Sequence, residues 1–508
     1  MLLNKNGTAA EVCDSTNGVC AGSGWPGSVV EGSTPSGSSG HDVLSADSST
    51  HRILQNPNNI GNLIVPGLAA SGTAGNCVKL ATNGIDITDA GATCTGGFTA
   101  KIKYVSQLGC AAQNTDLNLG GGTDDTSCIN TALAAATSSN PVLLWQDGKS
   151  LISGSGIEGP AGGNWAITGN GGGLTQITIT ACQITGGNLA TFTTAAQSLV
   201  SGQGITVKGL VNCSALNGAV LTVLSAGLSS TQFEATVSAP NVSSASETGT
   251  GISAYGTGFY LASGSKDAIS NGFTFSGGGC DIVAGVPPSR GANISISNIL
   301  VNGNAANQSN YCFGIDIHDV NNINIDGVTV YNVIKYGTKF ANVGDVNIDG
   351  DVFQAANNST SGPSNTDGIH MEGPWNDLHI SNSTFRTGDD AIALNANEGY
   401  CGPGLRTTIT NSTLDSSLDA IRAYNVGTVC GNGLTPVIDT VDISNFSGTV
   451  YQNIAFFGLG LDPVGSLNPA LTNFHWDNST ISLLNSTTGQ NILLDENLGT
   501  IGFSHDTF

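Results

Sequence analysis

Between residues 293 and 478, apolar and polar positions alternate in one short unit that keeps returning. The copies are Ile294-Ser-Ile-Ser-Asn298, Ile323-Asn-Ile-Asp-Gly327, Val346-Asn-Ile-Asp-Gly350, Leu378-His-Ile-Ser-Asn382, Thr407-Thr-Ile-Thr-Asn411, Val441-Asp-Ile-Ser-Asn445 and Phe474-His-Trp-Asp-Asn478. From Ile296 through Ile325, Ile348, Ile380, Ile409 and Ile443 to Trp476 the steps are 29, 23, 32, 29, 34 and 33 residues. Alternation of this kind buries one face of a strand. The closing Asn or Gly suits a bend with positive φ, which those residues tolerate best. A unit that returns at this period, with its bend at a fixed place, predicts a parallel β-helix in which each coil buries its face by stacking on its neighbours. Asn residues in such a column can hydrogen-bond to those above and below. A leucine-rich repeat would need Leu columns and helical runs that are absent. A β-sandwich would not repeat the same bend in parallel register.

Upstream the pattern changes. Ile129, Leu133 and Ala136 stand at helical spacing after Thr123-Asp-Asp-Thr126, where Asp124 or Asp125 can cap the helix. Pro141-Val-Leu-Leu-Trp-Gln146 then reads as a strand, followed by a turn at Asp147-Gly148 and a second strand. A capping helix before the first strand would close a solenoid end that otherwise exposes core and strand edges. The expected organisation is a β-rich arm over residues 1–105 for attachment or oligomerisation, then an all-β solenoid over 106–508. Within the arm, Asn83-Gly84 reads as a hairpin turn. Residues 174–253, with Thr/Val-rich alternating runs and no Asp cluster, are expected to form an inserted small β-domain.

Composition agrees with this picture. Gly is 71 of 508 residues with no Gly-X-Y period, which excludes collagen and favours turn-rich β structure. A formal charge of −23 argues against binding nucleic acid or an anionic membrane surface through bulk charge. No run of apolar residues is long enough to span a membrane. Cysteine number is 12, with near pairs 13/20, 77/94, 110/128, 182/213, 280/312 and 401/430 and no Cys-x-x-Cys. Disulfides in an oxidising, extracellular setting are therefore expected rather than thiolate-bound metal. The opening Met1-Leu-Leu-Asn-Lys-Asn-Gly7 lacks a signal-peptide core. The expectation is a signal already removed, or another route out of the cell such as a virus particle.

The chemistry is concentrated in Asn365-Thr-Asp367-Gly and Thr387-Gly-Asp389-Asp390, in a chain with only 10% charged residues. Asp390 and Asp419 are 29 residues apart, as are Ile380 and Ile409, so the two Asp residues are expected to stack on neighbouring coils, about 4.8 Å apart. Carboxylates this close cannot all ionise freely. One stays protonated while another stays charged, which is what glycosidic cleavage requires. The stretch 352–363 between the strand and Asp367 is expected to be a long loop. His370, Glu372, Asn395, Asp419, Arg422, Tyr424 and Trp375 are candidate substrate-binding residues, the two aromatics by stacking on sugar rings.

The two Asp motifs, 22 residues apart, resemble those of glycoside hydrolase family 28, the polygalacturonases. The resemblance covers about residues 110–500 and implies a right-handed pectinase-like β-helix and inverting hydrolysis of a polysaccharide. Carried over, Asp389 is the general acid, and Asp367 and Asp390 activate the water. The family's Gly-His-Gly and Arg-Ile-Lys motifs are absent, and Arg422 provides the only Ile-Arg pair of the C-terminal half. Because that basic pair binds galacturonate, its absence counts against this sugar. No metal or cofactor is expected for a hydrolase, and the chain is expected to be a monomer or homotrimer. Three other readings fit the same residues. One is a trimeric tailspike-like adhesin or depolymerase, and another is a structural solenoid whose Asp residues serve turns. The third is a lyase with Ca²⁺ held by Asp367, Asp389, Asp390 and Asp419 and with Arg422 as base.

Overall fold

The computed structural model describes residues 76–80, 87–93, 101–111, 122–271, 286–305, 308, 313–355, 366–424, 430–457, 471–485, 490–494 and 498–508. The chain divides into two units, one of residues 1–82 and 86–99, the other of 83–85 and 100–508. In the first, strands Asn76–Leu80 and Ile87–Thr93 pair antiparallel. The turn expected at Asn83-Gly84 lies outside the described residues.

The second unit is a right-handed parallel β-helix with three stacks of strands. All seven repeat copies fall in one stack and in one register. Ile296 pairs with Ile325, Ile325 with Ile348, Ile348 with Ile380, Ile380 with Ile409, Ile409 with Ile443, and Ile443 with Trp476. Their side chains are at most 1% exposed and form one continuous core. The closing residues Asn298, Gly327, Gly350, Asn382, Asn411, Asn445 and Asn478 all have positive φ, between 51° and 69°. The side-chain ladder runs as expected along part of this column. Asn445 donates to Asn411 (3.1 Å), Asn478 donates to Asn445, and Asn382 donates instead to Asp349 (2.6 Å).

The stack also extends beyond the repeat. Trp165–Gly169 pairs with Ala292–Ser297, Val142–Gln146 with Trp165–Gly169, and Ile501–Ser504 with Leu471–Asp477. Lys101–Tyr104 pairs in parallel with Val142–Gln146, so these residues belong to the solenoid and not to an arm ending at residue 105. The second stack holds short strands, among them Val352–Gln354 between Thr329–Tyr331 and Thr384–Arg386. The expected loop at 352–363 therefore begins as a strand, because Phe353 is an inward residue stacked on Phe385 (centroids 5.3 Å). The third stack runs from Ile157–Glu158 through Ile369–Glu372, Asp390–Asn395 and Asp419–Tyr424 to Gln490–Leu494.

Helix Thr126–Leu133 buries Ile129, Ala132 and Leu133. Asp125 stands at the cap position but turns its carboxylate to the Ala111 N–H (2.6 Å). Asp124 receives the helix's first N–H, from Thr126 (3.0 Å). Between Gly172 and Gly256 the chain leaves the solenoid and forms an antiparallel sheet with its own core around Phe192, Ile205 and Phe233. Disulfides join Cys110 to Cys128, Cys182 to Cys213 and Cys401 to Cys430. The expected pairs 13/20, 77/94 and 280/312 each include a residue outside those described.

Because each central Ile touches the same position on two other coils, Ile380→Ala should cost about 2–5 kcal/mol. His379→Ala, one position away on the exposed face, should stay within about 0.5 kcal/mol. Denaturant midpoints of the two variants check this.

Candidate active site

The third stack places the acids. Ile369 pairs with Ile392 and Ile392 with Ile421, so the residues two places earlier, Asp367, Asp390 and Asp419, form one column. Asn453 continues it and donates to Asp419 from its backbone N–H (2.8 Å) and its amide (2.9 Å). The backbone of this column is tied coil to coil, with Gly368 N–H on the Asp390 carbonyl at 3.0 Å. Asp389 projects from the turn between Thr384–Arg386 and Asp390–Asn395. Thr366 Oγ1 fixes that turn by accepting from Gly388 N–H (2.9 Å), and Thr387 Oγ1 by donating to the Asp389 carbonyl (2.8 Å). One carboxylate oxygen from each of Asp367, Asp389 and Asp390 lies within 4.8 Å of the other two.

Their protonation follows from this crowding. Burial, then repulsion from Asp367 and Asp419, lifts Asp389 to about 7 against the opposing pull of Arg422. Asp390 is pushed well above the carboxylate range by burial and by Asp367, Asp389 and Asp419. Asp419 rises to about 6 through burial, held back by the Asn453 hydrogen bonds and Arg422. Arg422 Nη1 is 3.8 Å from Asp390 Oδ2, and its guanidinium lies over the rings of Tyr424 (4.8 Å) and Phe456 (5.1 Å).

His370 is buried and in contact with Asp367. Its Nδ1 bonds to Asp367 Oδ2 (2.6 Å) and its Nε2 to Glu398 Oε2 (3.0 Å), while Tyr336 stacks on the ring at 3.9 Å. Burial alone would lower its pKa, but the two carboxylates outweigh that and raise it to about 10. It is therefore an imidazolium donating from both nitrogens, in contrast to the surface residue that a lone strand His usually is. Burial acts against the charge of Glu398, yet hydrogen bonds from His370 and Asn395 hold its carboxyl below the ordinary range. Glu372 is buried beside Lys339 (3.9 Å) and His370 (3.7 Å), and burial raises its pKa against both cations.

Most of the expected residues thus converge. Asp367, Asp389, Asp390, Asp419, Arg422, His370 and Asn395 are joined by direct contacts or one shared partner, and Tyr424 lies under Arg422. Trp375 does not belong with them. It is fully buried in the solenoid core, with Nε1 donating to Thr407 (3.3 Å), so it cannot stack on a sugar. Glu372, as buried as His370 and Asp390, lies on the far side of His370, toward Lys339. Three participants escaped the sequence reading. Glu398 sits in the inter-coil loop closed by the Cys401–Cys430 disulfide, where no periodicity marks it. Asn453 and Lys339 occupy strand positions that the register, extended by one coil in each direction, would have exposed.

Residues 297–415 match the model of Glycosyl hydrolases family 28, a span that includes Asp367, His370, Asp389, Asp390 and Glu398. No curated protein sequence matches the chain. Among solved structures, the chain is similar to a polygalacturonase from Erwinia carotovora ssp. carotovora, at 14% identity over 76% of this chain and 90% of that one, with a TM-score of 0.33. It is also similar to a family 28 exopolygalacturonase of Yersinia enterocolitica, at 11% identity over 82% and 76%, with a TM-score of 0.36. A third is tailspike protein 3 of bacteriophage CBA120, at 12% identity over 80% and 61%, with a TM-score of 0.29. The chain is a parallel β-helix protein that resembles family 28 over residues 297–415, and that match supports a polysaccharide-degrading glycoside hydrolase.

The cluster carries a pH signature. Asp389 has an ordinary value of 3.8 and a folded value of about 7, so across that window the native state keeps a proton that the unfolded chain releases. Stability contributed by this site is present below about pH 4 and falls as pH rises toward 7. Asp389→Asn should melt like the parent at about pH 4 and at a higher temperature at about pH 8. Calorimetry at the two pH values checks it.

Proposed function

We propose that the chain, given its family 28 resemblance, cleaves a polysaccharide by general acid/base hydrolysis at this carboxylate cluster. One observation carries the reading: three carboxylates within 4.8 Å of one another, one of them titrating near neutrality beside another held against an imidazolium. Asp389 is the acid. It is the least buried of the three, and its proton is retained up to about pH 7, so it can protonate a departing glycosidic oxygen. Asp367 is the base. His370 occupies its Oδ2, which leaves Oδ1 without a partner among the described residues and available to a water. Asp390 flanks that water with its own unpartnered Oδ1 and is balanced by Arg422. His370 and Glu398 act as positioning residues that hold Asp367 in place.

The resemblance implies inversion. A Ca²⁺-dependent lyase is supported less well by the same residues. Arg422 and the His370 imidazolium already bring positive charge against Asp390 and Asp367, which disfavours a divalent cation there. Three disulfides support an oxidising, extracellular setting. Among the described residues no helix is long and apolar enough to cross a membrane.

On a panel of neutral and acidic polysaccharides, the parent should release reducing ends and Asp389→Asn should lose about 10²–10⁴-fold in kcat. The parent's kcat should fall as pH rises through about 7, where the acid loses its proton. Equal rates in parent and variant would overturn the assignment of the acid. The anomer formed first, read by NMR, separates inversion from retention. An ultraviolet-absorbing unsaturated product abolished by chelator would establish the lyase instead.

A further inference from the structure

Away from the carboxylates, the inserted sheet and the first coils of the solenoid enclose a pocket of about 760 Å³. In a chain with 37 Asp and Glu against 14 Lys and Arg, none of the pocket's lining residues is acidic, and one is a lysine. Lys149 opens the short-strand stack of the solenoid. Its ammonium lies 5.8 Å from the centre of the Tyr260 ring and has no carboxylate partner among the described residues. Half-buried in this way, it is pushed below the ordinary lysine range by burial alone. Tyr260 is 1% exposed, and its hydroxyl reaches no hydrogen-bond partner among the described residues. Burial pushes that phenol up, so it stays an O–H donor. A half-buried cation and a buried, unused donor in one pocket are costly unless something pairs with them.

The rim suits a sugar. Tyr255, 53% exposed, pairs across the sheet with Gly173, and its ring lies over that glycine, where a larger residue would crowd it. Val200, 58% exposed, adds apolar surface. The pocket is also aligned with the carboxylates. Tyr260 pairs with Asn302, Asn302 with Tyr331, Tyr331 with Gln354, and Gln354 with Arg386, four residues before Asp390. Four coil steps place the pocket about 19 Å along the axis from the coil that carries the acids.

We infer that this pocket is a second glycan-binding site, for a sugar unit bearing a carboxylate. The anion pairs with Lys149 and accepts from the Tyr260 hydroxyl, while the sugar ring packs on Tyr255. The need for an anion stands on the pocket alone; its being part of a glycan rests on the hydrolase reading above. Such a site would retain an acidic polymer along the solenoid while another segment lies at the carboxylates.

The test uses the full chain carrying Asp389→Asn, so that binding is read without turnover. Calorimetric titration with tetragalacturonate should show a site that Lys149→Met weakens at least tenfold, that Tyr255→Ala also weakens, and that high salt suppresses. Maltotetraose, a neutral control, should not occupy it. With Asp389 restored, Lys149→Met should leave kcat on a short soluble substrate unchanged. Undiminished tetragalacturonate affinity in both pocket variants, no binding by the parent, or equal binding of maltotetraose would each overturn the proposal. None of these outcomes bears on whether Asp389 is the acid.

Discussion

Parallel in-register stacking is the constraint on which the rest of this molecule depends. In a solenoid, a residue meets its own counterpart on the next coil at about 4.8 Å, whatever its chemistry. For the apolar column from Ile296 to Trp476 the result is a dry core. For the Asn column it is a ladder of side-chain amides over bends with positive φ. For Asp367, Asp390 and Asp419 the same geometry stacks like charges that would otherwise avoid one another.

The chain meets that repulsion in three ways. Protons are retained on Asp389 and Asp390, cations are supplied by Arg422 and His370, and Asn453 closes the far end with neutral donors. Glu398 completes the arrangement by holding His370 in its charged form from a loop that a disulfide ties to the next coil. Acid, base and orienting groups then differ through their surroundings, although three of them are the same amino acid. The register dictates the contact, and the neighbours decide which carboxylate holds a proton.

Much of this was legible in the sequence because alternation and bend residue together specify register. All seven repeat copies align, and the Asp390–Asp419 pairing follows from the shared step of 29 residues. Where the pattern failed, a physical feature interrupted it. Trp165-Ala-Ile-Thr-Gly169 is another copy, but the inserted sheet places its partner strand 129 residues away. Trp375 follows the corner at Gly373-Pro374, where alternation restarts and the ring turns inward. Glu398 lies on a loop, whose side chains no strand periodicity reports. His370, expected to bind substrate, instead ties Asp367 to Glu398, a partner 28 residues further along the chain.

The central claim is that stacking forces this cluster to share protons at neutral pH, and difference infrared titration of the carboxyl groups tests it most directly. With Asp389→Asn and Asp390→Asn as references, the account predicts a protonated carboxylic acid band that persists through mildly acidic pH. Its Asp389 component should disappear near pH 7. If both groups instead ionise together at the ordinary value of 3.8, the stacked acids are not coupled and the account of the site is wrong.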